Sequence, residues 1–479
     1  MFKPHRASPA ELFIPACRLV KPATSPFYAR LNLTLESFQF SDAVRNLCAS
    51  AYSGTGRGRP GVDPVVYCKM LMVGFFENIS SERGIASRCE DSISVRSFLG
   101  YDLTQETPDH TTLSVIRSRL GLDIYERIFL LILQALQTEG LVKGRHVGID
   151  ASVLEANASL KGLVNRQTEE AYWEYVRRLA AENGVDPKDA NAVRKFDRKR
   201  PKKMSNDDWE NPNDPDAKIG PTKTGATDMI YKPENTVDLD TGAILQAEVR
   251  PGHESDQKGL AVHVFEAQEN VNTVKGLPAG SLTIESTTAD KGYHAAAEMA
   301  ALQQEGIRTV ISDPVANRKM ENLSVADRKV VRKAKRSAQS ASGKALLRRR
   351  GMHLERSFAH ILDAGGARRT TLRGLENLNK RFKFAAAVYN LSQLMRKLLK
   401  VGTPKQWAAW AKALVLILRR LLVAEWTRAA GNKNSANEKF HAHHDNPWPP
   451  LARRGGNRAA FLFAPFLAIP ENRHKSTGC

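Results

Sequence analysis

Residues 284–296 read IESTTADKGYHAA. An apolar residue and a run of small polar ones lead into Asp290 and Lys291, and a glycine, Tyr293 and an Ala-rich stretch with helical spacing follow. The order predicts a strand, a polar turn and a helix. In open α/β sheets such a turn, at the carboxyl end of a strand, is where functional groups gather. A second run of the same kind, HVGIDAS at 146–152, is an apolar strand that ends at Asp150.

Working outward, TDMIYKPENTVDLDTGAILQAEVR (227–250) alternates on either side of Asp240, Thr241 and Gly242 and predicts a hairpin. Helices are expected at about 255–272 and 293–305, then a strand IRTVIS running to Asp313, then helices over 352–362 and 375–400. Thr403, Pro404, Lys405 and Gln406 form a capping-box start for one more helix. Residues 35–125 carry helical patterns and little strand signal. ISSERGIASRC and SISVRSFLG (79–100 overall) predict two short helices joined by a tight turn, compatible with a helix-turn-helix. Thr107, Pro108 and Asp109 are expected to start another helix, with proline in its first turn and Leu113, Ile116 and Leu120 on its apolar face. The polar, basic stretch 160–225 reads as an insertion or flexible arm, and the Asn-, Pro-, Arg- and Gly-rich chain beyond 430 as a poorly ordered tail.

The 479 residues suffice for two or three domains, and 71 Lys plus Arg against 51 Asp plus Glu leave a net charge of +20, which points to a polyanionic partner. The charge is clustered. Residues 316–350 hold twelve basic side chains, Arg332, Lys333, Lys335, Arg336 and Arg350 among them, against Glu321 and Asp327. Residues 194–203 hold seven against one acid. Such blocks suit phosphate backbones, whose binding is electrostatic. Five cysteines, at 17, 48, 68, 89 and 479, form no CxxC pair, so zinc is not expected and they read as thiols in a reducing cytosol. Without a signal-like N-terminus or a membrane-length apolar run, the protein is expected in the cytoplasm, with no membrane partner.

Three carboxylates stand out by position: Asp150 and Asp290 at strand ends, and Glu355 on the helix after the basic block. Hard divalent cations need oxygen ligands, and enzymes that cut phosphodiesters hold two such ions about 3.5–4 Å apart. Acids on two strand ends and a facing helix fit that requirement, with Glu321, Asp313 and Glu376 as rivals for the third place.

Several motifs in order, GIDASVLEANAS (148–159), ADKGYHAA (289–296), and LERSFAHI, RRTTLRG and AAAVYNLSQL between 354 and 394, resemble the bacterial insertion-sequence transposases of the DDE class. Upstream, GRPGVDPVVYCKMLMVGFF, FLGYD and TPDHTTLSVIRSRL are similar to the helical domain that precedes the core in one large group of them. The resemblance spans roughly residues 50–400. It implies an α/β fold with a ribonuclease-H-like mixed sheet flanked by helices, preceded by an all-helical N-terminal domain. It also implies a helical end-binding domain at 1–130, a catalytic domain at 140–400 with the basic insertion at about 160–225, and a C-terminal helix and tail at 401–479.

By the same resemblance, Asp150, Asp290 and Glu355 are the catalytic and metal-binding acids. They would hold two Mg²⁺ ions, with Mn²⁺ as a substitute; an all-carboxylate site disfavours zinc. Lys291 and Tyr293 match the second-acid motif and would orient DNA or the turn itself. The implied partners are double-stranded DNA, as terminal inverted repeats and as target, and a second copy of the chain in a homodimeric DNA complex. The implied activity is metal-dependent strand cleavage and transfer; a nuclease or resolvase on the same fold, or a non-catalytic DNA-binding remnant, are the alternatives. Many relatives carry a Tyr and an Arg before the third acid and a Lys after it. Here no Tyr precedes Glu355 nearby, the Arg place is Gly351 beside Arg350, and the Lys place is Leu362.

Overall fold

The computed structural model describes residues 25–52, 61–200, 205–222, 225–315, 323–365 and 367–441, with side chains to 424. The tail beyond 441, Glu321 and part of both basic blocks lie outside the described residues. Residues up to Trp410 form one compact unit and Ala411 onward a second.

Seven helices come first: α1 (Pro26–Ser37), α2 (Phe40–Cys48), α3 (Pro64–Glu77), α4 (Glu82–Asp91), α5 (Ile93–Leu99), α6 (His110–Arg119) and α7 (Leu122–Thr138). Short polar side chains start most of those that the sequence marks. Asp63, Ser81, Ser92 and Asp109 each accept a hydrogen bond from a first-turn N–H that would otherwise lack a partner. The short helices α4 and α5 meet at Ser92, as the sequence suggests. The start of α6 differs from expectation: Asp109, not Thr107, is the cap, so Pro108 stands outside the helix. α3 is apolar on nearly every face and is buried accordingly, whereas α7 buries Ile124, Ile128, Ile132 and Leu136 along one stripe. Each such side chain removed from water contributes roughly 1.5–3 kcal/mol before entropy is set against it.

The sheet comprises β1 (His146–Ala151), β2 (Leu154–Glu155), β5 (Lys218–Pro221), β6 (Thr227–Asp238), β7 (Ile244–Pro251), β8 (Ser286–Ala289) and β9 (Arg308–Ile311). Its order is β2–β6–β1–β8–β9, with β5 and β7 also paired to β6. β1 runs antiparallel to β6 and parallel to β8, and β8 runs parallel to β9, so the sheet is mixed. Gly242, at φ +85°, closes the expected β6–β7 hairpin.

Helices cover the sheet: α10 (Leu260–Lys275), α11 (Ala296–Gln304), α12 (Val325–Gln339), α13 (Ala341–Phe358) and α14 (Leu375–Leu399). α10 starts later than its spacing suggests, because residues 252–259 form a loop. α13 packs over β1, β6, β8 and β9. It can lie that close because residue 148 is glycine: a Cβ there would come 2.7 Å from Leu239 Cδ2 and 3.2 Å from Arg350 Cγ.

α14 lies between β7 and α7. Two of its buried asparagines satisfy the outer edge of β7. Asn379 accepts from Val249 N at 2.7 Å and donates to Val249 O at 2.9 Å, and Asn390 does the same to Ile244 at 2.9 and 2.8 Å. A strand edge that would template another chain is thereby closed. On the other side Lys380 donates to Arg117 O and Arg381 to the carbonyls of Ile79 and Ser80. The N-terminal helices and the sheet consequently share one hydrophobic core. A boundary at 130 would fall inside α7.

The stretch between β2 and β5 is a folded insertion and not an arm. β3 (Val164–Asn165) pairs with β4 (Trp209–Glu210), and α8 (Tyr172–Glu182) packs on α9 (Ala190–Lys199). Tyr172 and Tyr175 stack edge-on against Trp209, and the Tyr172 hydroxyl donates to Asp197 at 3.0 Å. α15 (Pro404–His441) begins at the expected capping box, where Gln406 N donates to Thr403 Oγ1 and Gly402 N to Gln406 Oε1. Cys48, Cys68 and Cys89 are buried free thiols. Among the described residues no helix is long and apolar enough to cross a membrane.

Candidate active site

The pairing of β1 with β8 sets the geometry. His146, Val147 and Gly148 stand opposite Ser286, Thr287 and Thr288, and the same register carried two residues on brings Asp150 beside Asp290. Both acids thus emerge at the carboxyl ends of adjacent parallel strands. Asp290 also stabilises its own turn, accepting from Gly292 N at 2.6 Å.

α13 lies over this pair. Arg350 Nη2 is 2.9 Å from Asp150 Oδ1, and its Nε donates to Ile149 O. Farther along, Ser357 is buried on the sheet face, where its Oγ accepts from Asn235 Nδ2; Asn235 is the direct cross-strand neighbour of Asp150. His353 rests against Gly242 on the β6 flank. Glu355, next to the buried Leu354, is exposed, with its Oε1 4.0 Å from where a Cβ of Gly351 would stand on the same helix; among the described residues no hydrogen bond or ion pair joins it to Asp150 or Asp290. Among the rival third acids, Asp313 follows β9 at the far edge of the sheet, and Glu376 is 2.8 Å from Lys380 on α14.

Burial pushes the Asp150 carboxyl up to about 6; Arg350 opposes that rise, while Asp290 and Asp256 add to it. Asp256 is an acid the sequence analysis did not single out. It sits half-buried in the loop after β7, with Oδ1 2.8 Å from Lys232 Nζ. The signal for it was HESD (253–256), which closes a strand and precedes a helix.

Residues 20–119 match a family model described as a transposase domain (DUF772), and residues 314–395 match the transposase DDE domain. The second span contains α12, α13 and most of α14, and with them Glu355; the acid pair lies between the two spans. The two matches together support an insertion-sequence transposase of the DDE class. Its mixed sheet flanked by helices is the ribonuclease-H-like fold of that class. Compared with curated proteins and with solved structures, the transposase gives no match.

The residues present suit divalent cations. A Cβ at Gly292 would lie 2.9 Å from Asp290 Oδ1 and 3.7 Å from Asp256 Oδ2, so the absent side chain leaves a cradle between two carboxylates. A hard cation is what such an oxygen set accepts. Among the described residues, the group of three acidic or imidazole side chains whose donor atoms all lie within 4.8 Å of one another is Glu248, His263 and Glu266; Asp150, Asp290 and Glu355 do not close to that distance. Burial works to lower the His263 pKa, but its hydrogen bond to Glu234 and the charges of Glu234 and Glu248 outweigh that, and the net shift is upward. His263 Nε2 lies 3.2 Å from Glu234, and its Nδ1 is 3.6 Å from Glu248 and 3.8 Å from Glu266, so both ring nitrogens face carboxylates.

Of the two roles expected of Tyr293, orienting DNA and orienting the turn, its position serves the second and argues against its place among the DNA contacts. The ring is 1% exposed and its hydroxyl donates to Glu234 Oε1 at 3.0 Å. Glu234 is held from behind by Arg250 at 2.7 Å and His263 at 3.2 Å. Lys291, one residue past Asp290, is exposed beside the acids. The basic block takes the form of α12 and the start of α13. α12 buries Val331, Ala334 and Ala338 and turns Arg332, Lys333 and Arg336 outward, with Lys335 half-buried. Arg350 is engaged by Asp150 and is largely covered, its side chain 13% exposed.

Proposed function

We propose that the transposase binds the terminal inverted repeats of its own element, cleaves a phosphodiester there and joins the resulting 3′-hydroxyl to target DNA. The observation that carries this reading is the β1–β8 register, which sets Asp150 beside Asp290 beneath the helix that bears Glu355. These three would hold two Mg²⁺ ions, with Mn²⁺ as substitute, and the ions would polarise the scissile phosphate and lower the pKa of the attacking water. Lys291 neutralises phosphate beside the acids, Arg350 neutralises Asp150, and Tyr293 and Glu234 fix the turn that carries Asp290. In-line displacement needs no covalent enzyme intermediate, so no Ser, Cys or Tyr nucleophile is required.

The N-terminal helices, α4 and α5 foremost, recognise the ends; the outward face of α12 follows the backbone; two copies act together in the DNA complex. Because α7 is built into the core through α14, binding and chemistry are separated by substitutions in the full chain and not by truncation.

A second reading, a DNA-binding remnant without activity, has specific support. Gly351 stands at the usual Arg place, and Leu362, at the usual Lys place, is fully buried. The test uses the full chain, a labelled duplex carrying the inverted repeats that flank its gene, and Mg²⁺. Joined end-to-target product supports transposition. Hydrolysis without joining indicates a nuclease, and binding without either indicates the remnant.

A further inference from the structure

We infer that Asp256 is a fourth carboxylate of this site, facing Asp290 across Gly292 and serving as a ligand to one of the divalent cations. The inference rests on the reading of Asp150, Asp290 and Glu355 as the metal-binding acids.

The loop that carries Asp256 is tied in place by two cations from the sheet. Lys232 and Arg250 are cross-strand partners on β6 and β7. Lys232 Nζ donates to Glu254 O at 2.6 Å and to Asp256 Oδ1 at 2.8 Å, and Arg250 donates to Lys258 O at 2.7 Å. Arg250 is itself nearly buried, paired with Glu234, which also receives the Tyr293 hydroxyl. The Asp256 loop and the Asp290 turn therefore hang from one buried anchor, and their separation is fixed by packing and not by solvent-exposed chain.

With Oδ1 taken by Lys232, Oδ2 remains, 3.7 Å from where a Gly292 Cβ would stand, while Asp290 Oδ1, which accepts from Gly292 N, lies 2.9 Å from the same point. Two carboxylate oxygens turned toward one small space repel unless a cation or a proton joins them. Among the described residues, Lys232 pairs with Asp256 and Arg350 with Asp150. No such ion pair engages Asp290 among the described residues, so its charge is the one left for a divalent ion to offset.

The experiment compares the full-length protein with Asp256→Asn, Asp256→Cys and, as control, Asp150→Asn. Mn²⁺ alone is titrated into each DNA-free protein and free ion is followed by electron paramagnetic resonance. Cleavage of the labelled end is then measured in Mg²⁺, Mn²⁺ and Cd²⁺. Asp256→Asn should weaken binding of one Mn²⁺ by about tenfold or more, with affinity for the DNA end unchanged. Asp256→Cys should be slow in Mg²⁺ and recover in the thiophilic ions, a rescue that a purely structural role would not give. An unchanged Mn²⁺ isotherm, or a Cys variant equally slow in all three metals, overturns the assignment while Asp150→Asn remains inactive. If Asp150→Asn itself cleaves normally, the parent reading falls and Asp256 with it.

Discussion

Arg350 Nη2 lies 2.9 Å from Asp150 Oδ1, so the residue of α13 nearest the first acid is a cation. A guanidinium there neutralises Asp150 and competes with any metal ion for the same oxygen. Arg350→Gln is expected to tighten Mn²⁺ binding to the DNA-free protein by about fivefold or more, the equivalent of a partly exposed ion pair worth about 1 kcal/mol. Calorimetric titration checks this. Weaker Mn²⁺ binding in the variant would mean that Arg350 shapes the site and does not compete for it.

Tyr293 is expected to act through Asp290 and not on DNA. Tyr293→Phe removes the hydroxyl that Glu234 accepts and leaves the ring in place. The turnover number should fall by about tenfold, with affinity for the DNA end unchanged. Single-turnover cleavage and a gel-shift titration separate the two quantities; weakened affinity with normal turnover would return Tyr293 to the DNA interface.

The fold was legible where residue pattern and local physics agree. β1 and β8 could be read because an apolar or small-residue strand runs into an aspartate at each, and the β6–β7 hairpin because only its turn glycine needs a positive φ. The insertion was obscured because its aromatic cluster, Tyr172, Trp173, Tyr175 and Trp209, is scattered through polar and basic sequence. Asp256 was missed because a loop, with no apolar frame of its own, brings it back to the site. Tyr293 could be given a role but not a partner, since Glu234 belongs to a strand 59 residues away.

The network behind Tyr293 predicts a pH dependence of stability. His263 is nearly buried, with Glu234 at 3.2 Å, Glu248 at 3.6 Å and Glu266 at 3.8 Å, while Arg250 opposes its charge. Its pKa in the folded protein is raised above the ordinary 6.5. The stability it contributes is therefore fully present below that ordinary value and is lost as pH rises through the folded one. The advantage of wild type over His263→Gln should shrink as pH rises from about 6 through the folded pKa, measured by urea denaturation. An advantage that grows with pH would show that His263 is buried neutral.

The exposed face of α12 predicts salt dependence. Replacing Arg332, Lys333 and Arg336 by Ala should weaken binding to all duplexes alike and flatten the plot of log K against log salt by roughly 0.9 for each phosphate that the variant no longer neutralises. Fluorescence anisotropy across a salt series measures the slope, and Arg194, Lys195 and Arg198 on α9 become the candidates if it stays unchanged.

The central claim is that Asp150, Asp290 and Glu355 form one catalytic set, of which Asp290 and Glu355 are exposed. The most direct test is cleavage and joining of a terminal-repeat duplex by Asp150→Asn, Asp290→Asn and Glu355→Gln, with end binding followed in parallel. Each variant should lose both reactions and keep its affinity for the DNA. A Glu355→Gln protein that cleaves at the wild-type rate, while Asp313→Asn or Glu376→Gln is inactive, would contradict the claim and move the third acid elsewhere.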